Sequence, residues 1–197
     1  MDITLASAQD QAEAIRAGTI SAVELLEATV DRYERFNPVV NAVVVERIDD
    51  ARRRAAEADT AMMVGESWGR LHGVPMTIKE AWGWMGTPST SGHPHLSEWR
   101  PEKNDVAVQR LLDAGAVIYG KTNLPVSMAD WQTFNSIYGT TSNPWNPELI
   151  PGGSSGGAAA AVARCRPPED CLSKVRQSVI TTIGAKASSC RAARRVW

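Results

Sequence analysis

Apolar positions along the first 163 residues switch between helical and strand spacing. Ser7 to Ala17 reads as a helix closed by Gly18. Ser21-Ala22-Val23-Glu24 has the S-x-x-E form of a capping box, in which Ser and Glu each satisfy a free backbone N–H of the first turn. Val23, Leu26, Val30 and Tyr33 follow at helical spacing, and Pro38 predicts that this second helix stops near Asn37-Pro38. The β-branched run Val39 to Val45 predicts a strand, and the Ala/Arg-rich stretch from Asp49 to Asp59 a third helix. Gly73 to Glu80 reads as a short strand ending in a charged pair, and Pro88 to His95 as a loop. Asp105 to Ala114 is amphipathic, with Val106, Val108, Leu111 and Leu112 available to face a core. Ala116 to Gly120 is again strand-like. A strand–helix–strand order predicts an α/β layered fold.

The chemistry concentrates in Pro151-Gly152-Gly153-Ser154-Ser155-Gly156-Gly157, followed at once by Ala158-Ala159-Ala160-Ala161-Val162-Ala163. Glycines flank two serines, and a strong helix-former begins behind them. The pattern predicts a tight turn at a helix N-terminus, where spare N–H donors and the positive dipole end favour negative charge. One reading is structural, with Ser154 or Ser155 as the helix N-cap. A phosphate-binding P-loop is excluded, because Lys and Ser/Thr do not follow the last glycine. Gly152-x-Ser154-x-Gly156 and Gly153-x-Ser155-x-Gly157 both fit the serine-hydrolase elbow. That fold, however, needs a histidine after the serine. His72, His93 and His95 all lie upstream, so a reactive serine here needs a base other than histidine.

Lys79 follows apolar residues at a strand end, where residue type alone favours a surface lysine paired with Glu80. His93 and His95 lack a third ligand in view and read as solvated or structural.

Composition divides the chain. Residues 1–163 carry 13 Lys/Arg against 20 Asp/Glu, a net of −7; residues 164–197 carry 8 against 2, a net of +6. Cys165, Cys171 and Cys190 all fall in the second segment, at spacings that match neither a zinc site nor a redox pair. The basic charges there are scattered rather than clustered, which argues against nucleic-acid binding. No apolar run reaches the ~20 residues of a membrane span. Met1-Asp2-Ile3-Thr4 lacks the basic-then-apolar start of a signal peptide. A cytoplasmic protein is the default expectation.

Four collinear segments together resemble the amidase signature family. They are Gly73-Val74-Pro75 with Ile78-Lys79-Glu80, Gly120-Lys121-Thr122-Asn123-Leu124-Pro125, Tyr138-Gly139-Thr140-Thr141-Ser142-Asn143-Pro144-Trp145-Asn146, and the Gly/Ser loop itself. The resemblance covers roughly residues 1–163. It implies an α/β layered fold with a central mixed sheet covered by helices, and hydrolysis of carboxamides by a Ser–Ser–Lys triad. No metal or organic cofactor is implied. Lys79 matches the base and Ser154 the bridging serine, whose preceding peptide is cis in the family. Ser155 and the turn glycines Gly152 and Gly153 match supporting positions. The substrate it implies is a small-molecule amide or a protein-bound glutaminyl group.

The resemblance places the nucleophile about two dozen residues after the bridging serine, in a second glycine-rich loop whose N–H groups form the oxyanion hole. Ser178 has that separation. Its setting, Val175-Arg176-Gln177-Ser178-Val179-Ile180, contains no glycine, so the spacing reads as coincidence. The expectation is a partial amidase signature domain over 1–163 and a non-matching basic tail over 164–197, as a frameshift or deletion would leave. Such a truncated chain would have lost the inherited activity. The alternative is a non-catalytic fragment or anion-binding module that keeps the Gly/Ser loop.

Overall fold

The computed structural model describes residues 2–164. The expectations for Ser178, the three cysteines and the basic tail lie outside the described residues.

Helix α1 (Ala8–Arg16) and helix α2 (Ala22–Val40) both start at serine-led capping boxes. At the second, Ser21 Oγ accepts the Glu24 N–H at 3.0 Å and Glu24 Oε2 accepts the Ser21 N–H at 2.8 Å. Helix α2 does not stop at Pro38. Proline in the last turn forgoes one helical hydrogen bond, and the helix runs on to Val40 before Asn41 ends it in the left-handed conformation. The Asn37 side chain then accepts the N–H groups of Ala42 and Val43. Val39 and Val40 are therefore helical, and strand β1 is confined to Val43–Glu46.

Helix α3 (Ile48–Met63) buries Ala51, Ala55, Ala58 and Ala61 along one stripe. Strand β2 (Pro75–Lys79), helix α4 (Val106–Asp113) and strand β3 (Val117–Thr122) follow. The three strands form a mixed sheet in the order β1-β3-β2. Strand β1 is antiparallel to β3 and β2 is parallel to it. Side chains alternate across a sheet, and the two faces are covered separately. Val117 and Tyr119 pack with α1, α2 and α3 residues such as Ile15, Leu25, Leu26 and Ala55. Met76, Ile78 and Ile118 pack with Val108 and Trp84 on the other side. In α4 only Val108 of the four expected core residues is fully buried; Leu111 and Leu112 pack partly, and Val106 is 68% exposed. Two residues advance a helix by about 200°, so Val106 and Val108 cannot share a face.

Beyond β3 the chain forms a two-residue ladder of β4 (Phe134–Asn135) and β5 (Gly139–Thr140), then helix α5 (Gly156–Arg164). Helix α5 packs near α2 and the sheet, with Ala160 against Val40 and Ala42.

Candidate active site

Lys79 is the last residue of β2 and is 6% exposed. It is not a surface lysine, and Glu80 is not its partner. Strand alternation sends the two side chains to opposite faces. Lys79 reaches the turn before α5, where Nζ lies 2.9 Å from Ser154 Oγ and 3.0 Å from Ser155 Oγ. Burial lowers the Lys79 pKa from its ordinary value, which increases the fraction of neutral amine. The positive end of the α5 dipole at the same place also disfavours a second positive charge.

The loop reaches this position by close backbone contact. A Cβ on Gly153 would sit 2.6 Å from the Asp130 carbonyl oxygen and 2.7 Å from the Trp131 carbonyl carbon. One on Gly157 would sit 2.6 Å from both the backbone N and O of Asn123. No side chain fits in either gap. Gly152 has φ +88°, and the Gly153–Ser154 peptide is cis.

The N-terminus of α5 is satisfied by a residue that sequence reasoning passed over. Buried Thr133 donates through Oγ1 to the Gly152 carbonyl at 2.9 Å and accepts the Gly156 N–H at 3.1 Å. The two serine hydroxyls face the lysine, while the Ser155 carbonyl takes the first helical bond, from Ala159 N–H at 3.0 Å.

On the opposite face of the sheet lies a second set of buried polar groups. Lys121 pairs in register with Ile78, one position before Lys79, and is fully buried. Its Nζ donates to Ser89 Oγ at 2.7 Å and to the Pro88 carbonyl, with Thr87 Oγ1 at 3.5 Å. Burial pushes its pKa down to about 8, against the opposing pull of Glu80 and Asp105. Glu80 is also fully buried. It accepts the N–H groups of Thr90 at 2.7 Å and Ser91 at 3.0 Å, and the Tyr138 hydroxyl at 3.0 Å. Asn135 joins this network to the strand end, donating to Asn123 Oδ1 and the Leu124 carbonyl. Lys121, Glu80, Asn123 and Tyr138 all lie in the segments that carry the family resemblance. Thr133 and Asn135 lie outside those segments and carry no comparable signal.

The histidines stand apart from this site. His72 is buried, with Nδ1 accepting the Trp68 N–H and Nε2 at 3.1 Å from the Ala58 carbonyl. His93 and His95 have ring centroids 5.2 Å apart, and His93 Nε2 lies 2.7 Å from Ser127 Oγ. Among the described residues no three His, Cys, Asp or Glu side chains gather as a metal site, and no helix is long and apolar enough to cross a membrane.

Comparison with known proteins bears on the same segments. The Amidase family profile matches residues 24–166. The chain is 45% identical over 157 residues to an indoleacetamide hydrolase of Bradyrhizobium diazoefficiens, covering 80% of this chain and 30% of the relative. It is 38% identical over 191 residues to a glutamyl-tRNA(Gln) amidotransferase of Acidothermus cellulolyticus, covering 94% of this chain and 38% of the relative. That alignment therefore runs past the end of the profile match. Among solved structures, a bacterial aryl acylamidase of the amidase signature family superposes with a TM-score of 0.76 at 36% identity, over 80% of this chain and 33% of that one. Fatty acid amide hydrolase superposes with a TM-score of 0.76 at 31% identity, over 80% and 28%. The chain thus spans about a third of the length of these relatives. The sheet, the Gly/Ser loop and the profile match agree: this chain belongs to the amidase family, in its amidase signature branch.

Proposed function

We propose that this chain carries the proton-transfer half of a Ser–Ser–Lys amide hydrolase site, with Lys79 as base and Ser154 as relay. The observation that carries the reading is the 2.9 Å separation of buried Lys79 Nζ from half-buried Ser154 Oγ. A neutral Lys79 amine has a lone pair to accept the Ser154 proton. Ser154 in turn accepts the proton of a nucleophilic hydroxyl as that oxygen attacks the amide carbonyl carbon. The C–N bond breaks as the proton returns through Ser154 to the departing nitrogen. Water then releases the acid from the acyl-enzyme by the same route. Ser155 supports the lysine as its second hydroxyl partner, and Gly152 and Gly153 let the loop approach Asp130–Gln132. The substrate class is a small-molecule amide, in a soluble, cytoplasmic setting, with no nucleic acid, membrane, metal or organic cofactor in the reaction.

The same reading divides the chain into a partial amidase signature domain over 1–163 and a basic segment over 164–197. In that segment Ser178 has no glycine-rich neighbours to hold an oxyanion. One such donor is worth roughly 3–4 kcal/mol of transition-state stabilisation. In this reading residues 1–197 by themselves supply the base and relay, and an assay of them alone finds no amide turnover. Purified protein assayed with aliphatic, aryl and glutaminyl amides, beside Lys79→Ala and Ser154→Ala, tests this. The expected rate is background for all three proteins. Hydrolysis lost in both variants would uphold the roles of Lys79 and Ser154 and overturn the inactivity of the chain. Hydrolysis retained in both variants would overturn the roles themselves.

A further inference from the structure

Residues 87–91 run past the sheet end on the face away from Lys79. Three consecutive residues present oxygens to a cation: Thr87 Oγ1, the Pro88 carbonyl and Ser89 Oγ all face Lys121 Nζ. The next two present N–H groups to an anion, Thr90 and Ser91 to Glu80. Both charges are fully buried, an arrangement that costs free energy unless every donor and acceptor is used. The strap also holds Ser91 in the left-handed conformation, φ +49°, which a residue with a Cβ keeps only when its surroundings enforce it.

The strap leads on to the serine loop. The Ser91 carbonyl accepts the Ser127 N–H at 2.9 Å, and Gly92 lies against Val126 and Asn135. The chain from Val126 continues to Asp130–Gln132, the backbone on which Gly153 rests. Glu80 is the residue next to Lys79. Its carboxylate therefore fixes both ends of the separation that matters: the strand end that bears the lysine, and the strap that supports the loop bearing Ser154.

We propose that Glu80 and Lys121 are positioning residues, a buried anion and cation that clamp residues 87–91 and thereby set the distance between Lys79 and the serine loop. The inference rests on the reading of Lys79 as base, and neither residue touches a reacting atom. Glu80, Asp105 and Arg100 are the charged groups that act on Lys121, and Tyr138 is the third donor to Glu80.

The full 197-residue chain serves for the test, as wild type, Glu80→Gln, Tyr138→Phe, Lys121→Met and Lys121→Arg. Two readouts are taken: amide hydrogen exchange over residues 87–91, and the pH midpoint of Lys79 acetylation by acetic anhydride, with exposed Lys103 as internal standard. In Glu80→Gln and Lys121→Met the expected result is at least tenfold faster exchange in the strap and a Lys79 midpoint raised by half a pH unit or more as water reaches the amine. Lys121→Arg restores both values toward wild type. Tyr138→Phe gives the same changes in smaller measure, and carries the test if the charge variants do not fold. Faster strap exchange with an unmoved Lys79 midpoint overturns the proposal, as does no change in either. A wild-type Lys79 midpoint in the ordinary lysine range would instead overturn the reading of Lys79 as base, which separates the two failures.

Discussion

Two lysines sit one register step apart on neighbouring parallel strands, both buried, and they are set up for different work. Lys79 faces the serine turn and meets two hydroxyls. Hydroxyls can donate as well as accept, so the pair can exchange a proton without losing its geometry. Lys121 faces the strap and meets a carbonyl and two hydroxyls, with Glu80 nearby favouring its charged form. A carbonyl oxygen only accepts, so that site wants an ammonium. Burial lowers the pKa of both. What separates the proposed base from the proposed clamp is therefore the chemistry of the partners.

The largest effect should come from the clamp side. Glu80→Ala removes one of the two anions that act on Lys121 and strands the Thr90 and Ser91 N–H groups. An unfolding free energy lower by about 3 kcal/mol is expected in urea titration, the scale for leaving buried donors unsatisfied where a charged acceptor is removed. A loss below ~1 kcal/mol would mean that the two charges are independent of the fold.

Lys121 sharpens the contrast through pH. Its folded pKa of about 8 lies below the ordinary 10.5. Between these values the unfolded chain binds more protons than the folded one, so stability from this group rises with pH across that window. The unfolding free energy of wild type relative to Lys121→Met should climb by up to about 3 kcal/mol from pH 8 to pH 10.5, at about 1.4 kcal/mol per pKa unit. A flat difference would show that Lys121 keeps an ordinary pKa, and a falling one that folding raises it; either contradicts the burial effect. On the base side, Gly157→Ala forces a methyl group against the Asn123 backbone and should cost about 1–3 kcal/mol, as overpacking does. Ser155→Ala removes one of the two hydroxyl partners of Lys79 and should cost only about 0.5–1.5 kcal/mol, because Ser154 still holds the amine.

The serine turn was legible in the local sequence; the burial of Lys79, which residue type alone puts at the surface, and the partners of Glu80 and Lys121 were not. Ser21 and Glu24 announce a capping box by spacing alone, and α2 begins there. The Gly/Ser run ahead of an alanine helix announces a tight turn at an N-terminus, and α5 begins at Gly156. These signals are local, so a single segment carries them. The end of α2 was harder, because the Asn37 and Asn41 caps that let the helix pass Pro38 depend on where the chain goes next. Glu80 and Lys121 look like strand-end charges in the sequence. Their partners are 10 to 58 residues distant, and only the folded strap brings them together. Thr133 caps α5 from 23 residues upstream of Gly156, a pairing with no local pattern at all.

In the proposed function Lys79, with its pKa lowered by burial, is the base that acts on Ser154. The most direct measurement is the titration of Lys79 itself, by NMR of the ε-carbon in the lysine-labelled 197-residue chain, assigned by its loss in Lys79→Met. The expected result is a pKa clearly below the ordinary lysine value of 10.5, with a chemical-shift change at Lys79 when Ser154 becomes alanine. A Lys79 that titrates at the ordinary value and does not respond to Ser154→Ala would contradict it.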